Sequence, residues 1–145
     1  MPHYHHRQMG WAMLIIFGVV LAFLVTLALL DPTIPAGVLV AMVLIVGVAL
    51  LSFGWLTTTV NDQQFRLVLG FGLIRRTAKL TEMRACAVVQ NPWYYSMGVH
   101  LIPRGWIYNV SLGRGVEIEL LNGKLIRVGS DDAEGLCAAI NARLR

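Results

Sequence analysis

Two uncharged apolar runs, five residues apart, limit what this chain can become. The first, WAMLIIFGVVLAFLVTLALL, extends from Trp11 to Leu30, and the second, AGVLVAMVLIVGVALLSFGWL, from Ala36 to Leu56. About 20 residues at 1.5 Å rise match a hydrocarbon core of roughly 30 Å. Each run therefore reads as a transmembrane helix, with spans 11–30 and 36–56. A cleaved signal peptide would have an apolar region of only about 7–15 residues, and no second run would follow it at once. The link is DPTIP, Asp31 to Pro35. Its prolines do not fit a helix interior, and Asp31 belongs in water or at a cap. A link this short joins antiparallel helices. Met1 and everything after Leu56 are thus expected on one side of the membrane.

Only 14% of the 145 residues are charged, against about 25% in an average globular chain, and the deficit falls in the two runs. Neither run holds an ionisable residue, the usual flag of an ion or proton path, and two helices enclose no pore. They read as an anchor. Gly18, Ala22 and Thr26 in the first run, and Gly37 and Ala41 in the second, have the four-residue spacing that lets helices approach closely. The flank 1–10 carries Arg7, the short link carries one acid, and the other eleven basic residues follow Leu56. Lys/Arg excess marks the cytoplasmic side. Both termini are expected in the cytoplasm, with residues 1–10 as a tail, the Asp31 loop outside, and Trp11 and Trp55 at one interface.

After Leu56 the period changes. TTTV, QFRLVLG, GLIRRTAKL and RACAVVQ are short, β-branched or alternating, and separated by turn residues, as are Val99–Ile102, Trp106–Val110, Val116–Leu120 and Leu125–Val128. Seven or eight short strands suggest a small antiparallel barrel or sandwich over 57–145. A three-residue turn, Leu121-Asn122-Gly123 with Gly123 left-handed, pairs Ile118 with Ile126, Val116 with Val128 and Glu117 with Arg127. That register keeps one face apolar and joins opposite charges on the other. The closing SDDAEGLCAAINARLR reads as an amphipathic helix. Asp131 caps it with Glu134 three residues on, Arg143 and Arg145 suit its C-terminal end, and Ala133, Leu136, Cys137, Ile140 and Leu144 form the apolar face.

This plan, with the strings GWIYNV, VEIEL and NGKLIRVGSDD and the closing helix, resembles the bacterial pleckstrin-homology-like (PH-like) domains of small membrane proteins, many of which carry a two-span hairpin first. The resemblance covers about 57–145. It implies a membrane α-helical hairpin plus a mainly-β PH-like barrel closed by one C-terminal amphipathic helix, in the bacterial inner (plasma) membrane. It implies no established reaction, and no catalytic residue is carried over. Relatives that bind phosphoinositides use basic residues in an early strand loop, for which Arg75, Arg76 and Lys79 are the nearest counterpart by location.

The residues offer little other chemistry. LLNGKLI and LGRGVE lack the remaining positions of a phosphate loop or dinucleotide fingerprint and read as turns. Cys86 and Cys137 are far apart in sequence, without histidine neighbours, and read as reduced packing thiols rather than zinc ligands. His3, His5 and His6 read as a disordered, partly protonated terminus, with loose metal binding as the other possibility. His100 stands as the only base near Ser96, Ser111 and Ser130, with no nucleophile elbow. Segment 57–90 has five basic residues and two acidic ones, whereas 91–145 has six and five. The excess near the second span suits anionic lipid headgroups. The same charges also follow from positive-inside bias alone. Trp93, Tyr94 and Tyr95 form a dense aromatic group suited to a partner or interface, or to core filling. The expectation is a non-enzymatic, cofactor-free module binding anionic headgroups or a protein partner, and not nucleic acid. The alternative is an accessory subunit of a larger membrane complex.

Overall fold

The computed structural model describes residues 4–95 and 97–144. In chain order its elements are β1 (Tyr4–Met9), α1 (Trp11–Leu30), α2 (Ala36–Phe53), β2 (Trp55–Val60), β3 (Gln64–Leu69), β4 (Ile74–Lys79), a 3-10 turn (Leu80–Glu82), β5 (Met83–Gln90), β6 (Gly98–Ile102), β7 (Gly105–Asn109), β8 (Arg114–Leu120), β9 (Leu125–Gly129) and α3 (Ala133–Asn141). Ser96 and Arg145, like His3, lie outside the described residues.

Both apolar runs are helices long and apolar enough to cross a membrane. They pack on each other, yet Val19, Val25, Leu44 and Ile45 are all at least half exposed. At the link, Asp31 accepts the Thr33 hydroxyl (2.5 Å) and backbone N–H (3.0 Å). Those two bonds hold its carboxyl below the usual range. The second helix stops at Phe53, three residues before the expected end of the span. Gly54 closes it, and Trp55 and Leu56 instead open β2, because Leu56 is needed in the sheet core, where it is 1% exposed.

The segment 1–10, expected as a tail, supplies a strand. β1 pairs antiparallel with β2 from Tyr4↔Val60 to Met9↔Trp55, and β2–β3–β4 complete a four-stranded sheet. The helical hairpin is thus inserted between two neighbouring strands. The second sheet has the order β5–β8–β9–β7–β6. Its β8–β9 hairpin has the expected register, Ile118↔Ile126, Val116↔Val128 and Glu117↔Arg127, with Gly123 at φ +79°. Two expectations are corrected. The strands are not all antiparallel, since β7 runs parallel to β9. No barrel closes: the two sheets share no strand pairing, and β1, β4, β5 and β6 are edges. The 3-10 turn at Leu80–Glu82 separates β4 from β5, and α3 packs on β5, β8 and β2.

The core lies between the sheets and under α3, and includes Leu56, Phe65, Leu67, Leu69, Val116, Ile118, Ile126, Leu136 and Ile140. The apolar face of α3 is as expected, with Leu144 partly buried at its end. Its cap is Asp132 rather than Asp131, and the Asp132 carboxylate accepts from the Gly135 N–H (3.2 Å). Asp131 instead meets His6 (2.6 Å). Glu134, expected to complete the capping box, pairs with Arg114.

The sheet domain has two ends. At the near end, Gly10 donates to the Gly54 carbonyl (2.8 Å) and Gly70 to that of Trp55 (2.8 Å). There the Gln8 amide donates to the Gly129 carbonyl (2.7 Å), and Gly10 packs on Val110. The pairs Gln90↔Arg114 and Gly98↔Asn109 bring the loops 91–97 and 110–113 to this same end. The turns at 61–63, 103–104 and 121–124 form the far end. Because Met9 and Trp55 are cross-strand partners, a two-residue Asn-Gly turn fits in place of residues 10–54. We expect that variant to fold as a water-soluble domain with a cooperative unfolding transition. Residues 57–145 alone, lacking β1, should aggregate or show no such transition by circular dichroism.

Candidate membrane-facing site

Alternation along the first sheet separates two faces. Leu56, Thr58, Val60, Phe65, Leu67 and Leu69 point inward and are buried. Cross-strand register then places Arg7, Thr57, Val68 and Arg75 in one outer row, and His5, Thr59, Arg66 and Thr77 in the next. Lys79, opposite Gln64, lies beyond them. The four strands carry Arg7, Arg66, Arg75, Arg76 and Lys79 and no acidic residue. The row of Arg7 and Arg75 is the one nearer the helices. The Arg7 guanidinium lies 4.7 Å from the centroid of the Trp55 ring, a cation–π contact. The Arg75 Nε donates to the Gly72 carbonyl (2.6 Å), fixing its side chain over the β3–β4 loop.

The expected trio is therefore divided. Arg75 and Lys79 share the outer face, at opposite ends of β4. Arg76 pairs with Leu67 on the inner side at the sheet edge. It lies near Tyr108, whose phenol is pushed up by burial and partly brought back by the Arg76 charge. Arg7 and Arg66 were not singled out from sequence. YHHRQM has no apolar alternation to mark it as a strand, and only the pairing of β1 with β2 puts His5 and Arg7 on one face.

The second sheet contrasts with the first. Arg127 forks onto Glu117, Arg114 meets Glu134, and Arg104 (3.4 Å) and Arg84 (3.7 Å) share Glu119. Among the described residues, these ion pairs and that of Arg143 with Asp62 engage no cation of the first sheet. The aromatic group is divided too. Trp93 is 84% exposed and Tyr94 64%. Tyr95 is instead partly buried against the second sheet, with its ring under the Arg127 guanidinium (5.4 Å) and its carbonyl accepting from the Asn109 amide (3.4 Å).

The remaining sequence candidates are accounted for by packing. His5 meets the Thr59 hydroxyl (3.3 Å) and His6 the Asp131 carboxylate. His100 sits on edge strand β6, its ring against the Met97 carbonyl (2.8 Å). Among the described residues, no three His, Cys, Asp or Glu gather as a metal site. A cleft of about 540 Å³ lies at the far end, lined by Asp62, Leu80, Thr81, Met83, Leu121, Ala142 and Arg143. Cys86 and Cys137, distant in sequence, meet as free buried thiols. Asn141 ties them together, donating to the Cys86 carbonyl (3.0 Å) and the Cys137 Sγ (3.4 Å). No protein-family model and no curated protein matches the chain.

Burial, then the Cys137 contact, pushes the Cys86 thiol up, and burial with the hydrogen bond to Asp132 pushes the Tyr4 phenol up. Groups raised by folding lend stability below their unfolded values, about 8.5 for a thiol and about 10 for a phenol, and lose it as pH rises further. Unfolding free energy should therefore fall above about pH 8.5. In denaturant titrations across that range, Cys86→Ala should weaken the first part of the fall and Tyr4→Phe the later part.

Proposed function

We propose that this chain is a non-enzymatic, membrane-anchored module at the cytoplasmic surface of a bacterial inner membrane. Its sheet domain is of PH-like build, and its first sheet turns a basic face to anionic lipid headgroups. One observation carries the reading. The acid-free sheet is the one whose strands β1 and β2 run directly into α1 and out of α2. Arg7 and Thr57 stand two residues along their strands from Met9 and Trp55, about 7 Å at roughly 3.3 Å per residue. That is inside a Debye length of about 8 Å at physiological salt. Each cation so placed contributes on the order of 1 kcal/mol of attraction to an anionic surface. Two sheets followed by a C-terminal helix support the PH-like reading. The first strand lying before the spans, and the parallel β7–β9 pair, are departures from a simple antiparallel plan.

A second reading, an accessory subunit of a larger membrane complex, is favoured by Leu101 and Trp106. These cross-strand partners on β6 and β7 are 72% and 47% exposed, beside an open sheet edge. The two readings separate when the full chain is extracted in mild detergent and its retained lipids are weighed by mass spectrometry. Arg7→Glu with Arg75→Glu should lower the ratio of anionic to zwitterionic lipid by about 25-fold or more, from about 1 kcal/mol per cation lost at about fivefold per kcal/mol. Lys79→Glu, at the far end of β4, should lower it less. An unchanged ratio, with a stoichiometric protein co-eluting, would favour the subunit reading.

A further inference from the structure

Among the described residues outside the helices, seven large apolar side chains are more than half exposed; five gather at one end, whereas Leu101 (72%) and Leu121 (67%) lie singly toward the other. Phe71 (55%) and Leu73 (66%) lie in the loop 70–73, Trp93 (84%) and Tyr94 (64%) in the loop 91–97, and Leu112 (59%) in the loop 110–113. These three loops come from both sheets, and all sit at the near end. The first is tied to the second helix itself, since the Phe71 N–H donates to the Leu51 carbonyl in the last turn of α2 (3.2 Å). None of the three loops contains a charged residue. Arg75 and Arg7 stand just behind the first of them, on the outer face.

We infer that the near end of the sheet domain is a bilayer-docking surface. Phe71, Leu73, Trp93, Tyr94 and Leu112 lie in the interfacial region of the leaflet from which the hairpin enters. The inference rests on the membrane-anchored reading above and adds the contact made by the loops. Its occupant is the lipid monolayer, for three reasons. The loop 70–73 is bonded to the last turn of α2 at Leu51, whose own apolar side chain is half exposed. A Trp–Tyr pair in edge-to-face contact, 6.0 Å between ring centroids, combines apolar bodies with polar tips, as side chains of the interfacial belt do. Among the described residues, Arg7 and Arg75, the cations just behind the loop 70–73, meet no acid, and arginines suit headgroup phosphates. In water these five side chains would form an apolar end of the kind monomeric domains rarely expose.

The test uses the full chain in lipid nanodiscs with tryptophan as a depth reporter. One variant keeps only Trp93, by Trp11→Phe, Trp55→Phe and Trp106→Phe. A second keeps only Trp11. A third has all four tryptophans replaced by Phe and carries Leu121→Trp at the far end. Each is measured with brominated phosphatidylcholine alone and with brominated phosphatidylglycerol added. Trp93 should be quenched several-fold more than the Leu121→Trp reporter, with blue-shifted emission. Quenching in either lipid supports docking, and quenching in the neutral lipid does so even if the headgroup-charge reading fails. Trp93 unquenched by bromolipid but quenched by iodide, while Trp11 is quenched by bromolipid, would overturn the inference and leave the loops to a protein partner. Trp11 unquenched would overturn the anchoring itself, and the inference with it. Should the tryptophan replacements disturb folding, Leu112→Cys carrying a nitroxide in the otherwise native chain gives the same answer. Collisions with oxygen exceeding those with an aqueous nickel complex support docking, and the reverse overturns it.

Discussion

Six consecutive residue pairs between β1 and β2 hold the two halves of this molecule to each other. The chain leaves a sheet at Met9, forms both apolar helices, and re-enters the same sheet at Trp55 as the partner of the residue it left. Neighbouring strands are about 4.8 Å apart, so the pairing fixes the near ends of both helices within the sheet's own spacing. A linker would allow the domain to tumble. A ladder of backbone hydrogen bonds on both sides of the insertion does not. The position of the basic face and of the near-end loops follows from that ladder.

β1 also joins the two sheets. Its inner face is polar, and each inner side chain finds a partner across the fold. The Gln8 amide donates to the Gly129 carbonyl and its oxygen accepts from the Asp131 N–H (2.8 Å). His6 meets Asp131, and the Tyr4 hydroxyl donates to Asp132 (2.9 Å), the cap of α3. Gln8 is 3% exposed, and a buried amide with both ends bonded fixes one arrangement where an apolar side chain would allow several. Charge is divided along the same lines. The arginines of the second sheet meet Glu117 and Glu119 of β8 and Glu134 of α3, whereas the cations of the first sheet share their strands with no acid. A net charge of +4 is thus concentrated on the sheet continuous with the helices.

How legible each feature was depended on how local its cause was. The two apolar runs, the strands after Leu56 and the register of β8–β9 follow from hydropathy period and turn chemistry within a few residues of one another. β1 was illegible because Tyr4, His6 and Gln8 face inward without being apolar, so hydropathy shows no strand there. The parallel β7–β9 pair and the meeting of Cys86 with Cys137 depend on how distant segments pack, which no local pattern encodes. The helix cap shifted by one residue because His6, distant in sequence, claims Asp131. In the candidate site, Arg75 and Lys79 were visible as a basic run, but their separation from Arg76 needed the register with Leu67. Trp93 and Tyr94 were visible as aromatics, and only the Arg127 and Asn109 contacts distinguish Tyr95 from them. Phe71, Leu73 and Leu112 carry no signal until their loops are brought to one end.

The central claim is that the hairpin crosses a membrane while the sheet domain remains wholly on the side where the hairpin begins and ends. Labelling single cysteines with a membrane-impermeant maleimide in sealed vesicles of known orientation tests it most directly, in a chain whose buried Cys86 and Cys137 are replaced by alanine. Thr33→Cys, in the link between the helices, and Leu121→Cys, at the far end of the domain, should react from opposite sides of the membrane. Both reacting from the same side would contradict the account.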